Sequence, residues 1–151
     1  DMCELYTKRT TVNTTFKGYF NSFGLGFINA FNIRRSRLQS ITSIEYYSSG
    51  VLTVLDSSRY YKDNRNDFSS VYPVTGAVWP NVDSRADSVQ ITFVAGYGAT
   101  AADVPAGLVN AITTHVGWLY EQRGSSEDCT GGMPANVRAA YNMYRIQDIG
   151  A

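Results

Sequence analysis

Charge, cysteine and histidine are all scarce in this 151-residue chain, and each shortage narrows what it can do. Charged residues make up 17%, below the usual quarter, and 13 basic residues balance 13 acidic ones. A formal charge of zero argues against a protein whose main task is to grip nucleic acid non-specifically. The sequence also has no apolar run approaching the length of a membrane span, so we expect no membrane partner.

The two cysteines and the single histidine form no recognisable reactive motif. Cys3 and Cys129 lie in no CxxC or zinc-ligand spacing, which predicts free, reduced thiols and a cytosolic origin. His115 belongs to neither an HxxxH nor an HExxH pattern, and no serine or cysteine nucleophile is adjacent in sequence. We therefore favour a packed or interface histidine over a catalytic one, and expect no metal and no cofactor.

A literal GxGxxA match spans Gly96–Ala101. A dinucleotide fingerprint needs its helix to begin at the glycines, inside a strand–helix–strand unit. Here the next helix is predicted to begin near Pro105, and no strand follows it. The glycines therefore predict a turn rather than a phosphate-binding loop.

Aromatic residues are abundant, with 11 tyrosines and seven phenylalanines. Tyrosine is enriched in protein interfaces, and it is also an ordinary β-strand residue, so composition leaves both explanations open. Sparse charge is likewise compatible with a subunit covered by its neighbours and with a neutral soluble monomer.

The best-specified segment runs from 88 to 124. The alternation of Val89, Ile91 and Phe93 predicts a strand with one buried face. A helix is predicted over 104–124, capped by Asp103, with Pro105 in its first turn and an end at Gly124. Its predicted buried face consists of Leu108, Ile112, Val116 and Leu119.

The rest of the chain predicts an α+β domain with a mostly antiparallel sheet. Residues 1–9 are expected to end a helix, with Met2, Leu5 and Tyr6 on one side, and the uncapped start predicts an incomplete N-terminus. Residues 10–97 are expected to be β-rich, including a hairpin around Ser48–Gly50. The C-terminal helix is predicted over 134–146, with its apolar stripe at Val137, Ala140, Tyr141 and Tyr144. We take 1–151 as one domain.

Arginines supply the candidate polar contacts. Arg34, Arg35 and Arg37 form a basic cluster that could meet phosphate or an acidic patch on a neighbouring subunit, and zero net charge favours the protein partner. Arg138 and Arg145 lie off the apolar stripe of the last helix, where they could reach a partner's carboxylates or face water.

An ordered set of segments resembles the head–tail connector proteins of tailed bacteriophages, also called adaptor or head-completion proteins. The segments are ELYTKRT, LQSITSIEYYSSGVLTVLDSSRYY, WP, SVQITFVAGYG, VPAGLVNAITTHVGWLYEQR and PANVRAAYNMYRI. Together they span nearly the whole chain. The sequence departs from the family at Lys8, where a glycine is expected in the turn after the first helix, and it lacks the family's upstream helices.

The resemblance implies a structural virion protein with no enzymatic activity, made in the host cytoplasm and located in the neck. Such proteins form a ring, usually of about twelve copies, beneath the portal protein. They extend the channel through which the genomic DNA passes without sequence-specific binding, and they dock a tail-side neck or stopper protein. In the family the C-terminal helix and tail engage the portal. That implies contacts within 134–151, with these candidates: Arg138, Tyr141, Tyr144, Arg145 and Ile149.

Two other classes of function remain to be compared with the connector interpretation. A β-rich ligand- or carbohydrate-binding module would use exposed aromatic residues such as Trp79 and Trp118 around a concave pocket. A small hydrolase would need His115 to meet an acid and a nucleophile in the folded chain.

Overall fold

The computed structural model describes residues 2–24, 30–33, 37–65, 68–122 and 133–146. The helices are α1 Met2–Thr7, α2 Ala106–Glu121 and α3 Ala135–Asn142. The strands are β1 Thr14–Phe20, β2 Phe31–Ile33, β3 Leu38–Ser48, β4 Val51–Val54, β5 Tyr60–Asp63, β6 Ser69–Pro73 and β7 Val89–Ala95. The α+β class is confirmed, and all strand pairs between these elements are antiparallel.

The strands form two sheets. One has the order β1-β7-β3-β4, and the other has the order β2-β6-β5. The predicted alternation in β7 is correct, since Val89, Ile91 and Phe93 are buried. Gln90, on the opposite face, is buried as well. β7 is a central strand, hydrogen-bonded to β1 along one edge and to β3 along the other.

Residues from both sheets share one apolar core, so neither sheet buries its inner face alone. Its fully buried members include Ile33 of β2, Ile44 of β3, Val71 of β6 and Ile91 of β7. Several aromatic residues pack together against this core. Among them, the rings of Phe23 and Trp79 stack with their centroids 4.6 Å apart and an interplanar angle of 5°.

The predicted hairpin joins β3 to β4. Ser48 pairs with Val51, which leaves Ser49 and Gly50 as a two-residue turn. Both have positive φ, 53° and 79°, as a turn that follows the right-handed strand twist requires. The Asp83 carboxylate accepts hydrogen bonds from the backbone N–H groups of Ser49 and Gly50, each at 2.8 Å. A side chain distant in sequence therefore holds the turn.

The helices form a second layer with a core of its own. Its buried residues are Cys3, Val104, Leu108, Ala111, Val137 and Tyr141. Backbone hydrogen bonds tie this layer to the sheets, from Asn13 N–H to the Gly98 carbonyl and from Tyr97 N–H to the Thr11 carbonyl.

The predicted cap of α2 is wrong in detail. Asp103 ends a one-turn 3-10 helix, Ala101–Asp103, and its carboxylate accepts from the backbone N–H and the hydroxyl of Thr100. Pro105 takes the N-cap position of α2 instead of its first turn. The intervening 3-10 turn is what separates Asp103 from the α-helix. α2 ends at Glu121, and the predicted stop at Gly124 lies outside the described residues.

The predicted buried face of α2 is right in its first half and wrong in its second. Leu108 is buried and Ile112 packs against the helical core, but Val116 is 59% exposed and Leu119 is 42% exposed. The side chains that turn inward with Leu108 are Ala111 and His115. At 100° per residue this rotates the buried face by roughly 60° from the prediction. The reason is α3, which packs on α2 and brings Tyr141 against Ala111 and His115.

The apolar faces predicted for the first and last helices have different outcomes. In α1, Cys3 and Thr7 are buried while Met2 and Leu5 are exposed, so the predicted apolar side of residues 1–9 is wrong except for Tyr6, which packs against the helical core. In α3, the predicted stripe is confirmed, with Val137 and Tyr141 buried and Ala140 and Tyr144 packed against them. α3 is shorter than predicted, because Asn142 is its last residue.

Candidate assembly surfaces

The most distinctive surface is an exposed apolar flank of α2, beside the face that packs on α3. We call Val109, Val116 and Leu119 the outer face of α2, and all three are exposed. Their spacing of seven and three residues puts them along one stripe of the helix. Apolar side chains that line up on an exposed helix face are typical of a surface that a partner covers.

A second exposed apolar surface lies on the hairpin strand β4, at the edge of the four-stranded sheet. We call Val51, Leu52 and Val54 the β4 edge, and all three side chains are exposed. An edge strand with exposed β-branched residues and no charged side chain is open to pairing with another chain. The outer face of α2 and the β4 edge belong to different layers of the fold, so they are two separate surfaces.

His115 lies inside the helical layer. It is 4% exposed, and its Nδ1 lies 3.3 Å from the Tyr141 hydroxyl oxygen. The ring packs at 5.8 Å from that of Tyr141 and at 6.3 Å from that of Trp118. The packed histidine predicted from the sequence is therefore confirmed. Its Nε2 is buried with no hydrogen-bond partner among the described residues.

Folding brings a thiol to this cluster, which sequence spacing did not reveal. Cys3 is buried against Tyr141, and burial raises the pKa of its thiol above the ordinary value. Burial, with Cys3 as a second cause, raises the pKa of Tyr141 to about 12. A nucleophilic cysteine needs a lowered pKa and access to substrate, and Cys3 has neither. The cluster is thus a poor hydrolase site.

The Gly96–Ala101 segment is a turn, as predicted. Gly96 has φ 151°, and a Cβ atom there would lie 2.6 Å from the backbone nitrogen of Asn13. A Cβ on Gly98 would lie 2.3 Å from the Asp103 side chain. The glycines therefore permit close packing, and a carboxylate occupies the space beside them, where a phosphate would be repelled.

The candidate residues of the last helix fall into different environments. Arg138 and Arg145 are exposed, and the Arg145 guanidinium lies 5.3 Å from the centre of the Tyr6 ring. Tyr144 is half-buried, and its carbonyl oxygen accepts from Nε of Arg9. Tyr141 is 1% exposed, so its side chain belongs to the core and is no contact for a partner. Ile149 lies outside the described residues.

In the predicted basic cluster, Arg34 and Arg35 lie outside the described residues, but Arg37 is placed. Its guanidinium lies 4.6 Å from the centre of the Tyr97 ring. It borders a groove of about 780 Å³ between the helical layer and the sheets. Arg9, Lys62 and Arg65 also line this groove, so four cationic side chains from distant parts of the sequence converge there. Only Arg37 was a candidate from the sequence.

Two indoles that could form a ligand platform do not do so. Trp79 stacks on Phe23 over the sheet core, and Trp118 packs beside His115 in the helical layer. Within the described residues, no three histidine, cysteine or acidic side chains are close enough to hold a metal ion. No helix in the same ranges is long and apolar enough to cross a membrane.

The backbone of Lys8 shows why a glycine is expected in the turn after the first helix. Its φ is 57°, in the left-handed region that a glycine adopts at no steric cost. A glycine in this turn would therefore suit the backbone, and Lys8 adopts the same conformation with a side chain in place.

Comparison with solved structures supports the fold. A chain in the neck of an empty gene transfer agent (GTA) particle, computed with C6 symmetry, matches with a TM-score of 0.77 and 20% identity over 99% of this chain and 74% of that one. A chain in the neck of the native GTA particle, computed with C12 symmetry, matches with a TM-score of 0.75 and 20% identity over 99% and 79%. A chain in the virion of the native particle has a TM-score of 0.75 and 19% identity. No protein-family model and no curated protein matches. The shared fold is consistent with the head–tail connector resemblance.

Proposed function

We propose that this chain is a structural subunit of the neck of a phage-like particle. In this proposal, copies form a ring beneath the portal protein, extend the DNA channel and dock a tail-side protein. The observation that carries the proposal is the fold likeness over 99% of the chain to chains from GTA particles, two of them from the neck. The C6 and C12 symmetry used for those necks supports a cyclic arrangement.

A closed ring needs two different contact surfaces on each subunit, because the contact is head-to-tail. The outer face of α2 and the β4 edge meet this requirement, since both are apolar and exposed and they lie in different layers. We assign them as the two sides of the subunit contact. Zero net charge supports the assignment, since like-charged copies would repel one another in a ring.

The main experiment locates the chain in particles. Cross-linking with mass spectrometry and imaging of the neck are expected to find it in several copies between portal and tail. Its absence from the neck would refute the proposal. An isolated monomer would not, because ring closure can require the portal as a template.

The subunit contact is tested by placing a charge on it. We expect Leu119→Asp on the outer face of α2 and Leu52→Asp on the β4 edge each to block ring formation in particles, because the charge would be buried in the contact. Val78→Asp is the matched control, since Val78 is an equally apolar exposed residue in a loop. Normal rings with both interface variants would overturn the assignment. Hydrogen exchange on a chain with further N-terminal residues gives a second measurement. Protection of α2 in the absence of a ring would show that the outer face of α2 is covered within the chain itself.

The portal contact is proposed for the exposed arginines of the last helix region. Changing Arg138 and Arg145 together to glutamate is expected to weaken portal attachment while leaving the fold intact, because both side chains are exposed. A double variant with Lys17 and Arg59 changed to glutamate carries the same charge change outside the helical layer and serves as the control. Normal particle assembly with the Arg138 and Arg145 changes would show that the C-terminal contact is assigned wrongly.

A further inference from the structure

The basic groove has a charge pattern that the packing of the chain does not require. Arg9, Arg37, Lys62 and Arg65 line it, together with the amide side chains of Gln39 and Asn64. The described lining residues include no acidic one, but Asp63 beside the groove pairs with Arg65 and offsets its charge. Bringing the remaining cations close together is unfavourable in itself, which favours an anionic ligand.

The side chains of the groove are held in place. Lys62 Nζ donates to the Gln39 carbonyl oxygen, and the Asn64 amide donates to the Leu38 carbonyl oxygen at 2.8 Å. Arg65 Nε donates to Asp63 at 2.9 Å, and this contact lowers the pKa of Asp63 to about 2. Because these groups are positioned before any ligand arrives, binding would cost little side-chain entropy.

Arg37 is the exception that points to a ligand. Its guanidinium stacks on Tyr97, yet no hydrogen bond or ion pair from the described residues engages its N–H groups. Its backbone has φ 61°, a left-handed conformation that is unfavourable for arginine. Because Arg37 is exposed, its N–H groups face solvent and are available to a ligand in the groove.

We infer that this groove binds an extended acidic peptide segment of a partner protein, through carboxylates that pair with Arg37 and Lys62. The guanidinium fork matches a carboxylate with two parallel hydrogen bonds. The lining is mainly polar, and Pro105 and the exposed Met143 add a small apolar part that suits the aliphatic portion of a peptide. Its volume of about 780 Å³ lies in the range of a cleft for a short segment, whereas duplex DNA presents its phosphates over a broad surface.

The inference goes beyond the neck proposal and is tested on the isolated chain. The probe is a fluorescent octapeptide in which aspartate alternates with serine and glycine, measured by anisotropy at low and high salt. A matched peptide with asparagine in place of aspartate, inorganic phosphate and a short DNA duplex are the comparison ligands. Arg37→Gln and Lys62→Gln each remove one groove charge, and Lys17→Gln removes one from the exposed face of β1.

The acidic peptide is expected to bind in preference to all three comparison ligands. Arg37→Gln should weaken this binding about tenfold, and Lys17→Gln should leave it within about twofold. High salt should weaken it as well. The inference is overturned if the acidic peptide does not bind, if the Lys17 change weakens it as much as the Arg37 change, or if the duplex or phosphate occupies the groove instead. Because no particle is needed, absence of the chain from a neck would leave this result unchanged.

Discussion

His115 Nδ1 lies 3.3 Å from the hydroxyl oxygen of Tyr141, and both side chains are enclosed where α2 meets α3. Together with Leu108 and Ala111, His115 forms the side of α2 that faces inward. The contact buries the chain's single histidine against a phenol.

The first prediction concerns alkaline pH. Tyr141 has a pKa of about 12 in the folded chain, above the ordinary 10.0, so the unfolded chain releases this proton first as pH rises. The stability contributed by the raised pKa of Tyr141 is therefore fully present below pH 10. The free energy of unfolding falls by about 2 kcal/mol as the pH rises to 12. Urea unfolding of wild type and Tyr141→Phe from about pH 8 to about pH 11 measures it. The variant should lose less stability with pH, whereas Tyr19→Phe on exposed β1 should follow wild type. Parallel curves for all three would contradict the assignment.

The second prediction separates the two faces of α2. Ala111→Asp should destabilise the chain by about 3 kcal/mol or more, because it buries a charge at a position that is 5% exposed. Val116→Asp should change the free energy of unfolding by only about 0.5 kcal/mol, because that side chain faces solvent in the isolated chain. Chemical denaturation of the two variants measures both changes in the free energy of unfolding. The opposite order would restore the face expected from the sequence.

The third prediction concerns the turn at Lys8. Lys8→Gly should be more stable than Lys8→Ala by about 1 kcal/mol, because alanine keeps a Cβ in the left-handed conformation and glycine does not. Comparing these two variants removes the lysine side chain from both, so the difference reports the backbone alone. Thermal unfolding measures it. Equal stabilities would show that the turn relaxes without strain.

The fourth prediction concerns the hairpin. Asp83→Ala should lower the free energy of unfolding by about 1–2 kcal/mol, because two backbone N–H groups of the turn lose a charged acceptor. Asp87→Ala is the control, since it breaks an exposed ion pair with Arg85 that is expected to contribute less than about 1 kcal/mol. Urea unfolding compares the two. If the Asp87 change costs as much as the Asp83 change, Asp83 does not hold the turn.

Local pattern was sufficient for most of the elements. Ser49 and Gly50 predicted the hairpin because few residues accept two consecutive positive φ angles. The alternation around Ile91 predicted β7, since a period of two describes only a strand. The Asp83 contact to that hairpin was not visible, because its partners are more than thirty residues apart in sequence.

The residues of the basic groove also divide into one that the sequence indicated and others that it did not. Arg37 was a candidate because it stands in a run of arginines, but Arg9, Lys62 and Arg65 carried no signal in the sequence. They converge only because the start of β3, the end of β5 and the turn after α1 meet beside the helical layer. Residues that meet only in the folded chain follow no periodic pattern in the sequence.

The sequence by itself determined the α+β class, the elements and the poverty of catalytic motifs, because these follow from local conformational preference and residue type. The tertiary structure alone decided which face of α2 is buried. The predicted face, with Leu108, Ile112, Val116 and Leu119, and the observed face, with Leu108, Ala111 and His115, overlap and differ by about 60° around the helix. Hydrophobicity alone favours the predicted face, but α3 packs on the observed one, because the Tyr141 ring and hydroxyl fit against a small alanine and an imidazole nitrogen. Val116 and Leu119 are thereby left exposed.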